Sequence, residues 1–197
     1  TAEAPVNFVF VMTDTQNTDC IGAYPNTHVN TPSTARLAAE GIRFDRAYTA
    51  CPLCTPARGS IFTGMMPAVN GATHNDATPY LDVPFMGDLF GRNGYRVGYT
   101  GKWHLDGGFY NGYGKACGGF PQQWWYDGEC YRRDIGDEKF AAFKGFGRLA
   151  FADKLKKAFR AEDTWAYRVA DRAIDFLGSA GGGPFVLAVS FDEPHGP

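Results

Sequence analysis

The chain has 197 residues, 44% of them hydrophobic and 20% charged, with a formal net charge of -2. That balance builds one substantial core and excludes the disordered and fibrous classes. Lys and Arg are scattered without a basic face, which excludes nucleic acid as a partner and leaves any anionic substrate to be met locally.

The first predicted element is a strand over Asn7 to Met12, a short β-rich apolar run that ends in Thr13-Asp14-Thr15-Gln16. It reads as a buried parallel strand delivering polar residues at its C-terminal end, where α/β folds place their sites. The run is far too short for a membrane span and no cleavable apolar leader precedes it, so no membrane partner is expected. The same absence leans towards a cytoplasmic rather than a periplasmic or secreted location. Thr31-Pro32-Ser33-Thr34 supplies a helix start for Ala35 to Glu40, and Gly41 its stop. Ile42 to Tyr48 reads as a strand. A helix over Pro56 to Thr63 puts Cys54 at or just before its N-terminus, a position that favours an anion.

Further along, Pro84 to Asn93 is amphipathic at helical spacing, and Tyr95 to Thr100 reads as a strand leading into Gly101-Lys102-Trp103-His104-Leu105. Gly107 to Gly119 is rich in Gly and aromatic residues and has no period, as suits an irregular surface excursion. Trp124-Trp125-Tyr126 reads as core. Asp153 to Ala161 and Thr164 to Leu177 carry helical spacing, and Phe185 to Phe191 forms a last apolar strand ending in Asp192-Glu193-Pro194-His195-Gly196-Pro197. Strands alternating with helices imply an α/β fold, with a mostly parallel central sheet, helices on both faces, and polar strand ends converging on one edge.

The five cysteines, Cys20, Cys51, Cys54, Cys117 and Cys130, are odd in number and irregularly spaced, which argues against a disulfide framework. Cys51-Pro52-Leu53-Cys54 has the spacing of a redox pair, but the residues after it decide otherwise. Cys54-Thr55-Pro56-Ala57-Arg58-Gly59, running on through Thr63-Gly64, resembles the signature of the formylglycine-dependent sulfatases, and Gly101-Lys102-Trp103-His104 and Pro194-His195-Gly196-Pro197 resemble two further motifs of that family. The resemblance runs in order from Asn7 to Pro197.

It implies an alkaline-phosphatase-like fold and hydrolysis of a small-molecule sulfate ester. A formylglycine-generating enzyme would oxidise Cys54 to formylglycine, whose hydrated aldehyde carries one hydroxyl to attack sulfur and a second to expel sulfate. A thiolate could attack sulfur too, but it has no such internal route of release. Arg58, one helical turn on, would hold the formylglycine oxygen. By resemblance Lys102 contacts the nucleophile and sulfate, His104 takes the diol proton as sulfate leaves, and His195 binds the ester or protonates the leaving alcohol. Asp14 resembles the family's first metal ligand, a hard oxygen that suits one divalent ion, calcium ahead of magnesium. Many members have a second Asp next, where this chain has Thr15, so Thr15 or Gln16 would supply a neutral oxygen beside Cys54. His28 and His74 match no family role and are expected as surface or packing histidines, with His74 beside Asn75 a candidate for a substrate-side contact.

Sulfatases are normally longer, with a second acidic ligand pair and another sulfate-binding Lys downstream. Residues 1–197 are therefore expected to form the N-terminal part of a single catalytic domain, incomplete without the remaining C-terminal part of the same enzyme. A phosphonate or phosphate ester hydrolase with the same nucleophile, and a non-catalytic binding domain, are the alternative readings.

Overall fold

The computed structural model describes residues 5–25, 28–110, 112–144, 160–179 and 181–195. Four parallel strands form one sheet: β1 (Phe8–Met12), β2 (Arg96–Gly101), β3 (Trp125–Tyr126) and β4 (Phe185–Ser190), in the spatial order β1-β4-β2-β3. The register sets Met12 and Gly101 each against Ser190. Because the strands are parallel, their C-terminal ends share one edge, and the polar residues that follow β1, β2 and β4 emerge there together. That convergence is what the sequence implied.

Alternation along β4 divides the core between the two faces. Val186 and Ala188 join Val97, Tyr99 and Phe62 on one face, packed by Met86 and Phe90 of α4 (Met86–Arg92). Leu187 and Val189 meet Val169, Ala173 and Phe176 of α7 (Trp165–Gly178) on the other. Each fully buried aliphatic or aromatic side chain contributes about 1.5–3 kcal/mol, so this two-sided burial is what ties the helices to the sheet. The remaining helices are α1 (Pro32–Glu40), α2 (Cys54–Thr63), α3 (Pro67–Asn70), α5 (Gly128–Ile135) and α6 (Asp137–Lys144). Thr164, expected as the first residue of this helix, instead caps α7 by accepting from the Tyr167 N–H. Trp125 and Tyr126 are core.

Two local expectations are corrected. Ile42 to Tyr48 forms no strand; Ile42, Phe44 and Tyr48 are exposed, and no strand among the described residues pairs with the segment. β-rich composition supplies propensity, whereas a strand also needs a neighbour to bond. β1 is parallel as expected but lies at the end of the strand order, with Phe8, Val9 and Val11 exposed. The helix expected over 153–161 falls outside the described residues except at its end, where Ala161 opens a 3-10 turn. No helix among the described residues is long and apolar enough to cross a membrane.

Gly101 ends β2 where backbones crowd. Its φ is +116°, and a Cβ there would stand 1.8 Å from the Ser190 carbonyl oxygen. Gly101→Ala is therefore expected to lower stability by about 3 kcal/mol, the upper end of an overpacked site. Urea unfolding measures this, and an unchanged midpoint would contradict the close approach.

Candidate active site

Cys54 is the first residue of α2, at the helix N-terminus as the sequence suggested, although the helix begins two residues before Pro56. Leu53 before it offers no side-chain cap; the Thr55 N–H is instead taken by Asn75 Oδ1 at 3.2 Å. The hydroxyl of Thr55 donates to the His104 carbonyl at 3.0 Å and accepts from the Asp76 N–H at 3.3 Å. The N-terminus of α2, with its positive dipole end, is thus bound to the segment after β2.

One turn along α2, Arg58 is 2% exposed. It donates to the Lys102 carbonyl, to Ser190 Oγ at 2.8 Å and to Asp14 Oδ2 at 3.2 Å. The Tyr99 hydroxyl and, at 3.0 Å, the Ser190 hydroxyl also reach the Lys102 carbonyl. Residues 102–104 alternate across the chain: Trp103 is buried in an aromatic cluster with Phe62, Tyr99 and Trp125, while Lys102 and His104 make polar contacts. The Lys102 ammonium sits 2.7 Å from Asp14 Oδ2 and 2.8 Å from Asp192 Oδ1.

Burial works to raise the Asp14 carboxyl, but the hydrogen bond and charge of Lys102, with Arg58 behind them, hold it below the usual carboxylate value. Burial also lowers the His104 imidazole below its ordinary value, against the opposing hydrogen bond of Asp76 and with Lys102 adding to the fall. Its Nε2 lies 3.1 Å from Asp76 Oδ1, and its Nδ1 is buried with no hydrogen-bond partner among the described residues. An Nε2–H donated to Asp76 leaves Nδ1 as a lone-pair acceptor. Thr15, Asp76 and His104 all take positive φ, at 57°, 68° and 57°. Such strain costs of order 1–3 kcal/mol per residue and gathers at sites where the surroundings enforce it.

The sulfur of Cys54, a carboxylate oxygen of Asp14 and a ring nitrogen of His195 lie within 4.8 Å of one another. Asp14, Cys54, Arg58, Lys102 and His195 thus form a connected group at the sheet edge, and His104 joins it through its carbonyl, which accepts from Thr55 beside Cys54. Thr15 is exposed beside it, and Gln16 is engaged elsewhere, its amide carbonyl accepting from Thr13 Oγ1 at 2.8 Å and its NH2 donating to the Cys20 carbonyl. His74 is exposed against Thr73, and its neighbours Asn75 and Asp76 are the residues that reach the site. Sequence reasoning missed Asp76, Tyr110, Ser190 and Asp192. Asp192 had a signal in following an apolar strand; Tyr110 had none.

The sulfatase family model matches residues 6–197. The chain belongs to the sulfatase family. It is 40% identical over 193 residues to the uncharacterized sulfatase YidJ of Escherichia coli (strain K12), a match that covers 97% of this chain and 39% of that protein. The YidJ structure from Bacteroides fragilis superposes with a TM-score of 0.70 at 25% identity, covering 99% of this chain and 46% of the other. The phosphonate monoester hydrolase of Agrobacterium radiobacter has the same TM-score at 19% identity, over 98% of this chain and 42% of that one, a likeness of fold alone. The chain thus spans about two fifths of the sulfatase YidJ that it matches. Sulfatase membership implies a formylglycine and a divalent metal ion.

The residues fit those two groups unequally. Position 54, half-buried at a helix N-terminus beside two buried cations, suits a residue that carries negative charge as it reacts. For calcium, which takes roughly six to eight oxygens, Asp14 offers one hard anionic group, and the donors grouped with it are the sulfur of Cys54 and a ring nitrogen of His195. The described residues therefore do not make a calcium shell on their own.

Proposed function

We propose that the enzyme to which this chain belongs hydrolyses a sulfate ester to an alcohol and sulfate, with formylglycine at position 54 as nucleophile. The observation that carries this reading is the meeting of Cys54, Asp14 and His195 within 4.8 Å beside buried Arg58 and Lys102. When formed, formylglycine supplies a hydrated aldehyde with one hydroxyl to attack sulfur and another to expel sulfate. Arg58 and Lys102 bring fixed positive charge to the side on which sulfate oxygens gather negative charge, and they need no reorganisation to do so. His195, beside Cys54, is suited to protonate the departing alcohol. His104 takes the proton of the second hydroxyl through Nδ1, and Asp76 holds the tautomer that leaves this nitrogen free. Calcium is our choice of ion, with its remaining oxygens drawn from the rest of the enzyme.

Mass spectrometry of the peptide spanning Ala50 to Arg58, after co-expression with a formylglycine-generating enzyme, tests the nucleophile. An unmodified Cys54 would sink the reading. Aryl sulfates compared with aryl phosphonate diesters test the substrate class: far faster turnover of the phosphonates would transfer the site to the rival hydrolase. His104→Ala should slow release more than attack, so that residue 54 is found carrying sulfate after brief exposure to substrate. Intact-mass analysis of quenched enzyme reads this, and a variant equally slow with nothing trapped would remove His104 from the release step.

A further inference from the structure

Tyr110 enters the site from the irregular excursion after β2, which none of the family motifs covers. Gly107, Gly108 and Gly112 around it take φ values of 72°, 90° and 87°, backbone that other residues rarely adopt. The tyrosine hydroxyl donates to Asp192 Oδ1 at 2.6 Å and accepts from the Lys102 ammonium. Since Lys102 also meets Asp192 Oδ1 directly at 2.8 Å, the three groups close a small ring of polar contacts. The aromatic ring lies 4.8 Å from the His104 ring and 5.9 Å from the His195 ring, with the Lys102 ammonium 3.9 Å from its centroid.

Lys102 and His104 stand on the segment after β2, and Asp192 and His195 on the segment after β4. The His195 N–H donates to the Asp192 carbonyl at 2.9 Å, so whatever fixes Asp192 also constrains the turn bearing His195. We propose that Tyr110 is a positioning residue that clamps these two segments together, holding the Lys102 ammonium in a set relation to His195. The proposal rests on the hydrolase reading. A lysine has a long flexible stem and binds as a point charge, so its aim depends on the acceptors around it. Asp14 ties Lys102 to the segment after β1, while Tyr110 and Asp192 tie it to the segment after β4. Losing the phenol oxygen leaves every charge in place and removes only a constraint on geometry, which shows in the chemical step more than in binding.

The test uses the full-length, formylglycine-bearing enzyme and an aryl sulfate. Tyr110→Phe should lower kcat about tenfold and leave KM within about twofold, with the thermal midpoint unchanged. Asp192→Asn weakens the same bridge from its other end and also discharges the ion pair with Lys102, so it should lower kcat at least as far as Tyr110→Phe. The double variant should lose no more than the worse single one, because both remove a single clamp. An active wild type with equally active Tyr110→Phe overturns the proposal, as do losses that multiply in the double variant or a loss confined to KM. A wild type that bears formylglycine yet hydrolyses no aryl sulfate defeats the hydrolase reading instead, so the two failures are told apart.

Discussion

Cys54→Ala should abolish turnover, with kcat reduced at least about 10⁴-fold, while the protein remains folded. The two halves of this expectation have separate causes. Alanine cannot be converted to formylglycine, so the remaining cations can bind an anion but have no nucleophile to assist. The fold survives because the start of α2 is anchored elsewhere, through the Thr55 N–H on Asn75 and the Thr55 hydroxyl on the His104 carbonyl. Cys54 is only half-buried, so loss of its sulfur should cost less than about 1 kcal/mol. Steady-state hydrolysis and urea unfolding read the two halves independently. Cys51→Ala is the control: an equal loss of turnover there would show that the wrong thiol carries the chemistry.

Arg58→Ala should damage both stability and activity. The guanidinium is almost fully buried, and it satisfies the Lys102 carbonyl, Ser190 Oγ and Asp14 at once. Truncation takes one of two cations from Asp14, one of three donors from the Lys102 carbonyl and the guanidinium donor from Ser190 Oγ, in addition to leaving a cavity. Breaking a buried ion pair in this way costs about 3–5 kcal/mol. Removing a fixed donor from developing negative charge costs about 10²–10³ in rate. Arg58→Lys should recover little, because an ammonium cannot reach Lys102, Ser190 and Asp14 from one planar fork. Denaturant midpoints and kcat on an aryl sulfate measure the pair of effects. A stable and active Arg58→Ala would mean that Lys102 alone holds Asp14 in place.

The chain itself determined its family, the parallel α/β architecture and six residues that meet at the sheet edge. These were legible because they are local: a β-rich run followed by Asp14, a helix start at Cys54, a strand running into Lys102 and His104. Parallel pairing then delivers such strand ends to one edge without further instruction. Only the tertiary structure decided the contacts among them. Tyr110 meets Asp192 across 82 positions, and Arg58 meets Ser190 across 132. No periodicity encodes a pairing of that kind, since each side chain is placed by a different element. Asp76 shows the same limit, lying in a turn 28 positions before His104 in the chain and meeting it in space. Ile42 to Tyr48 shows it in reverse, because composition can favour an extended backbone while a strand exists only where another strand bonds to it.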